Sequence, residues 1–547
     1  MTVLEEIASW VSGLDAGDIP DRVLETAKHQ VLSVVGASYA GSRCAGGRAV
    51  VDTVARLGDA GPCTAFPDGE VRTLQLALLQ NCSLSMALDY DDYLFLGHTG
   101  HSAVLVALAV GELVGADTRT VLAAQVAANE VAGRLGGSVV LGPHNGQMWA
   151  HIHLLGAAAA ASRLLGLDAG GTADAMGIAF SEPVYALFPG FMGPQSKLLT
   201  AAVPAVTGTT AAFLAEGGMT GSRVILEDEE GFWSNFSFVP LPFMLTGLGR
   251  SWVTDTIAFK PYPGCAYVDT AVDALLEILA AFKRERGRDL EAVEVRSIDV
   301  DASLLTVAMD RMSQKYLDRS KLSPTNINFS LSISLAIAVL AGRLSGAELR
   351  DGYLEENREA ILAVASRVAL RHDAAMTVGF MRSLDETVDL GAMLRAVDKR
   401  RVLRARHRLR EHLSRVGTLS AGESVRAARE LGRDDREYLR RLFLGGLGSG
   451  AYDLGSAPLE ELEMPFGARV RLRLEDGTTL EAERRIPRGG PGDPNRLEVP
   501  VEKFLREAGG ISSEERARAA VEIVLSFERR QLSTVAAALS AGEVVNG

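Results

Sequence analysis

Two runs of small and apolar residues constrain the fold of this chain more than any other feature. They are "SAVLVALAVGELVGA" at 102–116 and "LLGAAAAASRLLGLDAG" at 154–170. A helix that is apolar on most faces is buried, and Ala and Gly allow neighbouring helices to approach closely. The two runs therefore predict central core helices. Helical spacing of apolar residues over 3–14 and 18–41 predicts amphipathic helices that pack around them.

The pattern changes near Phe259. Short alternating runs follow, such as "EVRSIDVDA", "SRVALRHD" and "ARVRLRLEDGTTLEAE", and the Asp-Gly pair in the last of these predicts a hairpin. Helical periodicity returns over about the last 50 residues. We therefore predict a mostly α protein, with a large all-helical domain at 1–258, a smaller α+β domain at 259–497, and C-terminal helices at 498–547 that return to the helical domain.

A charged segment at about 373–463 interrupts the α+β region. Its stretch "KRRVLRARHRLREHLSR" has eight Lys/Arg residues and one acid. We favour a solvated amphipathic helix in a largely helical insertion. A nucleic-acid surface is disfavoured, because the helix lacks stacking aromatic residues and the protein is acidic. The glycine-rich stretch that follows has no GxGxxG or Walker pattern, so it does not indicate phosphate binding.

Composition narrows the possible partners and the compartment. The net charge of −13 repels nucleic acid and anionic membranes, which favours a small ligand. The four cysteines include no CxxC pair and predict neither a disulfide framework nor structural zinc. The N-terminal stretch is acidic where a signal peptide is basic, and no apolar run reaches the length of a membrane span. We therefore expect a cytoplasmic protein.

Titratable residues are concentrated beside the first buried run. The stretch "LDYDDYLFLGHTGHS" holds three acids, Asp89, Asp91 and Asp92, and two histidines, His98 and His101. Two single lysines, Lys197 and Lys260, lie in apolar settings further along the chain. A metal site is one alternative, but the histidines lack the spacing of a zinc motif. A buried, hydrogen-bonded role is another. Carboxylate-binding lysines with a His/Asp acid–base pair would suit proton abstraction next to a carboxylate.

The same stretch is similar to the "LDFDDTH…GHPS" signature of the MmgE/PrpD family. Further matches follow in family order, including "IPDRVLETAKHQVLSVVGASYAG", "VAANEVAGRLG", "SKLLTAAVPAVTGTTAAFLAEGGMTG", "FKPYPGCAYVDTAVDALLEI" and "NFSLSISLAIAVLAG". They cover about residues 5–372 and resume over about 466–538. The resemblance implies a helical domain with an α+β lid, usually a homodimer, that uses no metal or organic cofactor.

Residue by residue, the resemblance assigns the signature aspartate to Asp89 and its histidine to His98. The two lysines of the family fall on Lys197 and Lys260. Tyr93 stands where the family has threonine, Gln147 where it has histidine, and Thr200 where a histidine follows the first lysine. These assignments imply a catalytic set of Asp89, Tyr93, His98, Lys197 and Lys260. The implied substrate-binding residues are Asp92, His101, Gln147, His151 and Tyr262.

The resemblance implies a lyase that acts on a small di- or tricarboxylate. We expect the dehydration of a β-hydroxy acid similar to an alkylcitrate. Decarboxylation and epimerisation are alternatives, because both pass through a similar carbanion-like species. Gln147 and Tyr93 also favour a family member that binds a carboxylate without turning it over, since glutamine cannot transfer protons as imidazole does. A further alternative is an assembly partner that uses the insertion as its interface.

Overall fold

The computed structural model describes residues 1–95, 97–143, 148–415, 419–444, 446–448 and 450–540. Helices dominate these residues and strands are few, which confirms the predicted fold class. The chain forms two compact units. Unit 1 comprises Met1–Phe259, Asp453–Glu460 and Leu497–Gly547, and unit 2 comprises Lys260–Tyr452 and Glu461–Arg496.

The first part of unit 1 is a stack of helices with two minimal strand pairs. The helices are α1 Val3–Gly13, α2 Asp21–Ser42, α3 Ala45–Leu57, α4 Leu74–Met86, α5 Gly100–Val114, α6 Thr118–Ser138, α7 Ala150–Leu164, α8 Ala169–Ser181, α9 Phe188–Phe191, α10 Leu199–Glu216 and α11 Phe232–Phe236. The strands are β1 Cys63–Thr64, β2 Val71–Arg72, β3 Asp92–Tyr93 and β4 Ala258–Phe259. The antiparallel pairs are β1 with β2 and β3 with β4.

The two apolar runs form α5 and α7 in the core of unit 1. Residues Gly100 to Gly111 of α5 are all buried, as is nearly all of α7. A side chain at Gly208 in α10 would place its Cβ 2.2 Å from the carbonyl oxygen of Leu154. Glycine therefore allows the α7 and α10 backbones to touch. This close packing confirms the prediction of central helices rich in Ala and Gly.

Unit 2 combines a four-stranded sheet with helices. Its helices are α12 Asp269–Arg286, α13 Leu304–Gln314, α14 Pro324–Ile327, α15 Leu331–Ala341, α16 Asp351–Glu356, α17 Arg358–Ala365, α18 Ala374–Val388, α19 Leu390–Ala396, α20 Lys399–Arg415, α21 Ala421–Glu430 and α22 Arg433–Leu444. Its strands are β5 Val295–Ala302, β6 Val368–His372, β7 Ala468–Leu474 and β8 Thr479–Arg484, in the order β6-β5-β7-β8. The β5–β6 pair is parallel and the other pairs are antiparallel.

Sequence patterns account for two parts of unit 2. The predicted hairpin is confirmed, because β7 and β8 pair through a turn in which Gly477 has a φ of 89°. The charged segment between β6 and β7 is helical over α18–α22. The Lys and Arg side chains of α20 from Lys399 to Arg410 are exposed, and Ala405 on its apolar side is buried.

Three C-terminal helices complete unit 1. They are α23 Glu498–Ala508, α24 Glu514–Leu525 and α25 Leu532–Ala538. A Cβ at Gly36 in α2 would lie 3.2 Å from the Cα of Phe504, so α23 packs directly on the α2 backbone. Among the described residues one helical stretch, Gln195–Glu216, has the length and hydropathy of a membrane span. This is weak support for a span, because a helix in a globular core passes the same test.

Candidate functional site

The acidic stretch forms a tight turn between α4 and β3. Asp89 has a φ of 49°, which is left-handed, and its side chain is buried. Residues other than glycine seldom adopt this conformation, although aspartate tolerates it better than most. Such backbone strain persists only where surrounding contacts impose it, and it is concentrated at functional sites. The strained backbone at Asp89 therefore marks this turn as a candidate functional site.

Asp89 forms a buried ion pair with Lys197. Lys197 lies in the 3₁₀ turn Gln195–Leu198, immediately before α10, and its ammonium donates to Oδ2 of Asp89. Neither side chain is more than 1% exposed. The ammonium also lies 4.5 Å from the centre of the Phe191 ring. The predicted lysine and aspartate thus meet in a dry environment, where Coulomb interactions are stronger than in water.

Asp91 joins the two histidines of the stretch. His98 Nδ1 donates to Asp91 Oδ2 at 2.6 Å, and His101 Nε2 lies 3.2 Å from the same oxygen. The side chains of Asp91 and His101 are fully buried, whereas that of His98 is 15% exposed. The sequence alone predicted no role for Asp91. Its position between Asp89 and Asp92 in the motif was the only available signal.

Asp92 lies deeper in the helical packing. Gln30 Nε2 donates to its Oδ2, and a Cβ at Gly100 would lie 2.0 Å from its Oδ1. Burial and the nearby charge of Asp91 raise the pKa of Asp92 to about 6. Gln30 also bonds to Asn129, which in turn accepts from Thr99 at 2.6 Å. These contacts anchor Asp92 to α2 and α6, and its predicted substrate contact stays a prediction.

A second layer of histidines lies behind the first. His101 Nδ1 is 2.8 Å from Ser85 Oγ, and its ring is 5.6 Å from that of His153 in an edge-on arrangement. His153 Nδ1 bonds to Ser102 Oγ at 3.0 Å. Burial, followed by the charge of His101, lowers the pKa of His153 well below its usual value. His153 is therefore neutral near pH 7 and extends the core beneath His101.

The other predicted site residues have different surroundings. The Tyr93 ring lies 5.9 Å from that of His98. His151 packs against aromatic rings, with centroid distances of 5.1 Å to Phe232 and 5.6 Å to Phe236. Gln147 lies outside the described residues. The roles proposed for these three residues stay predictions.

Lys260 and Tyr262 belong to unit 2, where both are buried. The Tyr262 hydroxyl donates to Asp273 Oδ1 at 2.8 Å, and the backbone N–H of Arg488 donates to Asp273 Oδ2 at 2.9 Å. Burial and the charge of Asp273 raise the pKa of Tyr262 well above its usual value. The neutral phenol of Tyr262 thus helps to hold this loop, and the substrate roles of both residues stay predictions.

The arrangement in unit 1 can supply a cation and a proton-transfer group. Within the described ranges, no group of three or more His, Cys, Asp or Glu side chains could hold a metal ion. Asp91 and His98 form a hydrogen-bonded pair of the kind that can act as a base and its orienting group, and Lys197 adds a buried positive charge. Such a set can stabilise negative charge on a carboxylate or enolate while a proton is exchanged.

Comparisons with known proteins agree with the resemblance noted from the sequence. Residues 5–240 match the MmgE/PrpD N-terminal domain, and this match confirms the resemblance to the family. A cis-aconitate decarboxylase from Aspergillus terreus is 28% identical over 296 residues, which are 50% of this chain and 59% of that protein. The human cis-aconitate decarboxylase is 26% identical over 305 residues, which are 52% and 61% of the two chains. The chain thus spans about three fifths of the length of these relatives.

Proposed function

Because residues 5–240 are an MmgE/PrpD N-terminal domain, we propose that the protein is a cofactor-independent lyase that acts on a small di- or tricarboxylate. The observation that carries this proposal is the pairing of Lys197 with Asp89 on the same turn that presents Asp91 to His98. The relatives named cis-aconitate decarboxylase support the reaction class and the type of substrate.

In this proposal His98 exchanges the proton. Its Nδ1 is bonded to Asp91, so Nε2 is the nitrogen that faces the reaction. Asp91 would hold the ring and stabilise the imidazolium that forms when Nε2 takes a proton. His98 is the partly exposed member of the pair, which suits contact with a substrate.

Lys197 stabilises the negative charge in the proposed mechanism. A substrate carboxylate would share its ammonium with Asp89, and the same cation would offset charge that develops on the reacting carbon and its carboxylate. Burial makes this interaction stronger than in water. The role of Lys260 as a second carboxylate-binding cation rests on the family resemblance alone.

Two lyase reactions fit these groups. In decarboxylation a carbon–carbon bond breaks, carbon dioxide leaves, and His98 protonates the carbanion-like carbon that keeps the electron pair. In dehydration a base removes the proton next to the carboxylate, and hydroxide leaves with a proton supplied by an acid. The relatives' name favours decarboxylation. The resemblance to the wider family supports dehydration of an alkylcitrate-like β-hydroxy acid.

The test incubates the protein with a panel of di- and tricarboxylates in deuterated water and follows each by NMR. Decarboxylation gives dissolved carbon dioxide and one deuterium on the product carbon. Dehydration gives a new alkene signal, and epimerisation gives exchange with inversion only. Saturable binding without any of these changes would identify a non-catalytic family member. The absence of both binding and turnover across the panel would refute the proposal.

We also propose a cytoplasmic homodimer that binds neither nucleic acid nor membrane. Leu199, Val203 and Leu214 lie on one face of α10 and are 41%, 40% and 42% exposed. An apolar stripe of this kind on a core helix suits a subunit interface. Light scattering during gel filtration should give twice the chain mass, and a Val203→Arg variant should shift the protein toward the monomer. An unchanged monomer in both would refute the dimer.

A further inference from the structure

Another buried lysine, outside the segment that matches the family domain, reaches the acidic turn. Lys503 lies in α23, and its side chain is fully buried. Its ammonium donates to the backbone carbonyl of Tyr90 and, at 3.0 Å, to Ser33 Oγ of α2. The close contact of α23 with Gly36 brings the lysine under the turn.

Helix α23 contacts both the backbone carbonyl and the side-chain hydroxyl of Tyr90. Lys503 binds the carbonyl of Tyr90 and lies 4.3 Å from the centre of its ring. Arg506, one helical turn later, donates to the Tyr90 hydroxyl. Glu507 pairs with Arg43 at 2.7 Å and so ties the same helix to the end of α2. Backbone and side chain of one residue are thus fixed by a single helix.

The position of Tyr90 gives these contacts a consequence for the site. Tyr90 is the residue between Asp89, which binds Lys197, and Asp91, which binds His98. The peptide group whose carbonyl Lys503 binds therefore joins Tyr90 directly to Asp91, and Asp89 is the residue on the other side of Tyr90. Asp89 already has a left-handed backbone, so the turn needs external contacts to keep this shape. The charge of Lys503 also opposes the rise in the pKa of Asp92.

From these contacts we propose that Lys503 is a positioning residue for the lyase site, and this rests on the proposed function. It acts through the Tyr90 carbonyl: the ammonium holds the Tyr90–Asp91 peptide, which orients Asp91 toward His98, and by fixing the backbone of Tyr90 it also keeps the preceding Asp89 directed toward Lys197. Lys503 itself does not touch the substrate.

The test compares Lys503→Met with the matched control Lys28→Met. Lys28 is also a buried lysine that links α2 to the C-terminal region, but its described contacts are Glu25, the Leu525 carbonyl and Glu528. Both variants should lose stability. Only Lys503→Met should lower kcat, by about 10- to 100-fold with little change in KM, because a displaced catalytic group mainly affects the reaction step.

A second measurement separates this proposal from the proposed function. Histidine labelled with ¹⁵N gives the titration of the His98 ring in the free protein, and His98→Asn identifies its signal. Lys503→Met should shift this titration, Lys28→Met should leave it unchanged, and Lys503→Arg should restore it in part. These titrations can be measured even if the wild type turns over no carboxylate. Such a lack of turnover would refute the proposed function but not the positioning role of Lys503.

Two outcomes would overturn the positioning role. One is a Lys503→Met variant with the kcat and His98 titration of the wild type. The other is an equal change in Lys28→Met, which would show a general effect of lost stability. If Lys503→Met does not fold, Lys503→Ala removes the donor to the Tyr90 carbonyl with a smaller side chain, and it is judged by the same two measurements.

Discussion

The ion pair between Lys197 and Asp89 makes a quantitative prediction about stability. Replacing Lys197 by Met leaves a carboxylate buried without its cation. Removal of one partner from a buried pair typically costs about 3–5 kcal/mol of the free energy of unfolding. Both side chains are at most 1% exposed, so solvent cannot compensate for the loss. The lost contact with the Phe191 ring adds to the same cost.

The double variant Lys197→Met/Asp89→Asn should be more stable than the sum of the two single changes predicts. The carboxylate charge is absent there, and asparagine tolerates the left-handed backbone of residue 89. We expect a coupling free energy of about 0.5–3 kcal/mol, the usual range for residues in direct contact. Activity should not recover with stability. Loss of the cation should still lower kcat by about 10²–10³-fold.

Urea unfolding followed by tryptophan fluorescence measures these values. All four tryptophans, Trp10, Trp149, Trp233 and Trp252, lie in unit 1, so the signal reports the unit that contains the pair. Arg223→Met is the control. Arg223 pairs with Asp174 at 3.2 Å but is 43% exposed, so its loss should cost less than about 1 kcal/mol. Additive effects of the two single changes would refute a direct, buried interaction.

Three further predictions concern the neighbouring groups. Asp91→Asn should lower kcat/KM by about 10²–10⁴-fold, because His98 loses the carboxylate that orients it; near wild-type kinetics would refute its role. Asp92 has a raised pKa of about 6, so its contribution to stability is present below pH 4 and disappears as the pH rises through 6. The wild type should therefore lose on the order of 3 kcal/mol from this group between pH 4 and 7, and urea unfolding of Asp92→Asn should lack that slope. Exhaustive chelation should leave turnover unchanged, and loss of activity with a stoichiometric metal would contradict the proposed mechanism.

Local sequence patterns were sufficient to predict the fold class. The helices α5 and α7 follow from runs rich in Ala and Gly, and the β7–β8 hairpin follows from alternation around Asp-Gly. Each of these signals lies within one short segment. The family resemblance extended the prediction, because an ordered series of motifs carries information that periodicity lacks.

The site was only partly accessible from the sequence. Motif matching selected Asp89, His98 and Lys197, but their partners depend on long-range packing. Lys197 meets an aspartate 108 positions earlier in the chain, and Lys503 meets Tyr90 over 413 positions. Periodicity shows that a lysine is in an apolar setting without showing which group it binds. Asp91 belonged to the predicted titratable cluster but received no role, because neighbouring residues in an irregular turn have no fixed relative orientation.

The division of unit 1 between the two ends of the chain sets the order in which the protein can be completed on the ribosome. Residues 1–259 emerge first, yet the helix that carries Lys503 emerges only after residues 260–496. At usual synthesis rates this interval lasts roughly 10–50 s. During that time the surface of α2 that receives α23 is uncovered, including Gly36 and Ser33. A nascent chain stalled before residue 498 should therefore bind chaperones through this surface and should fail to form the mature turn at Asp89.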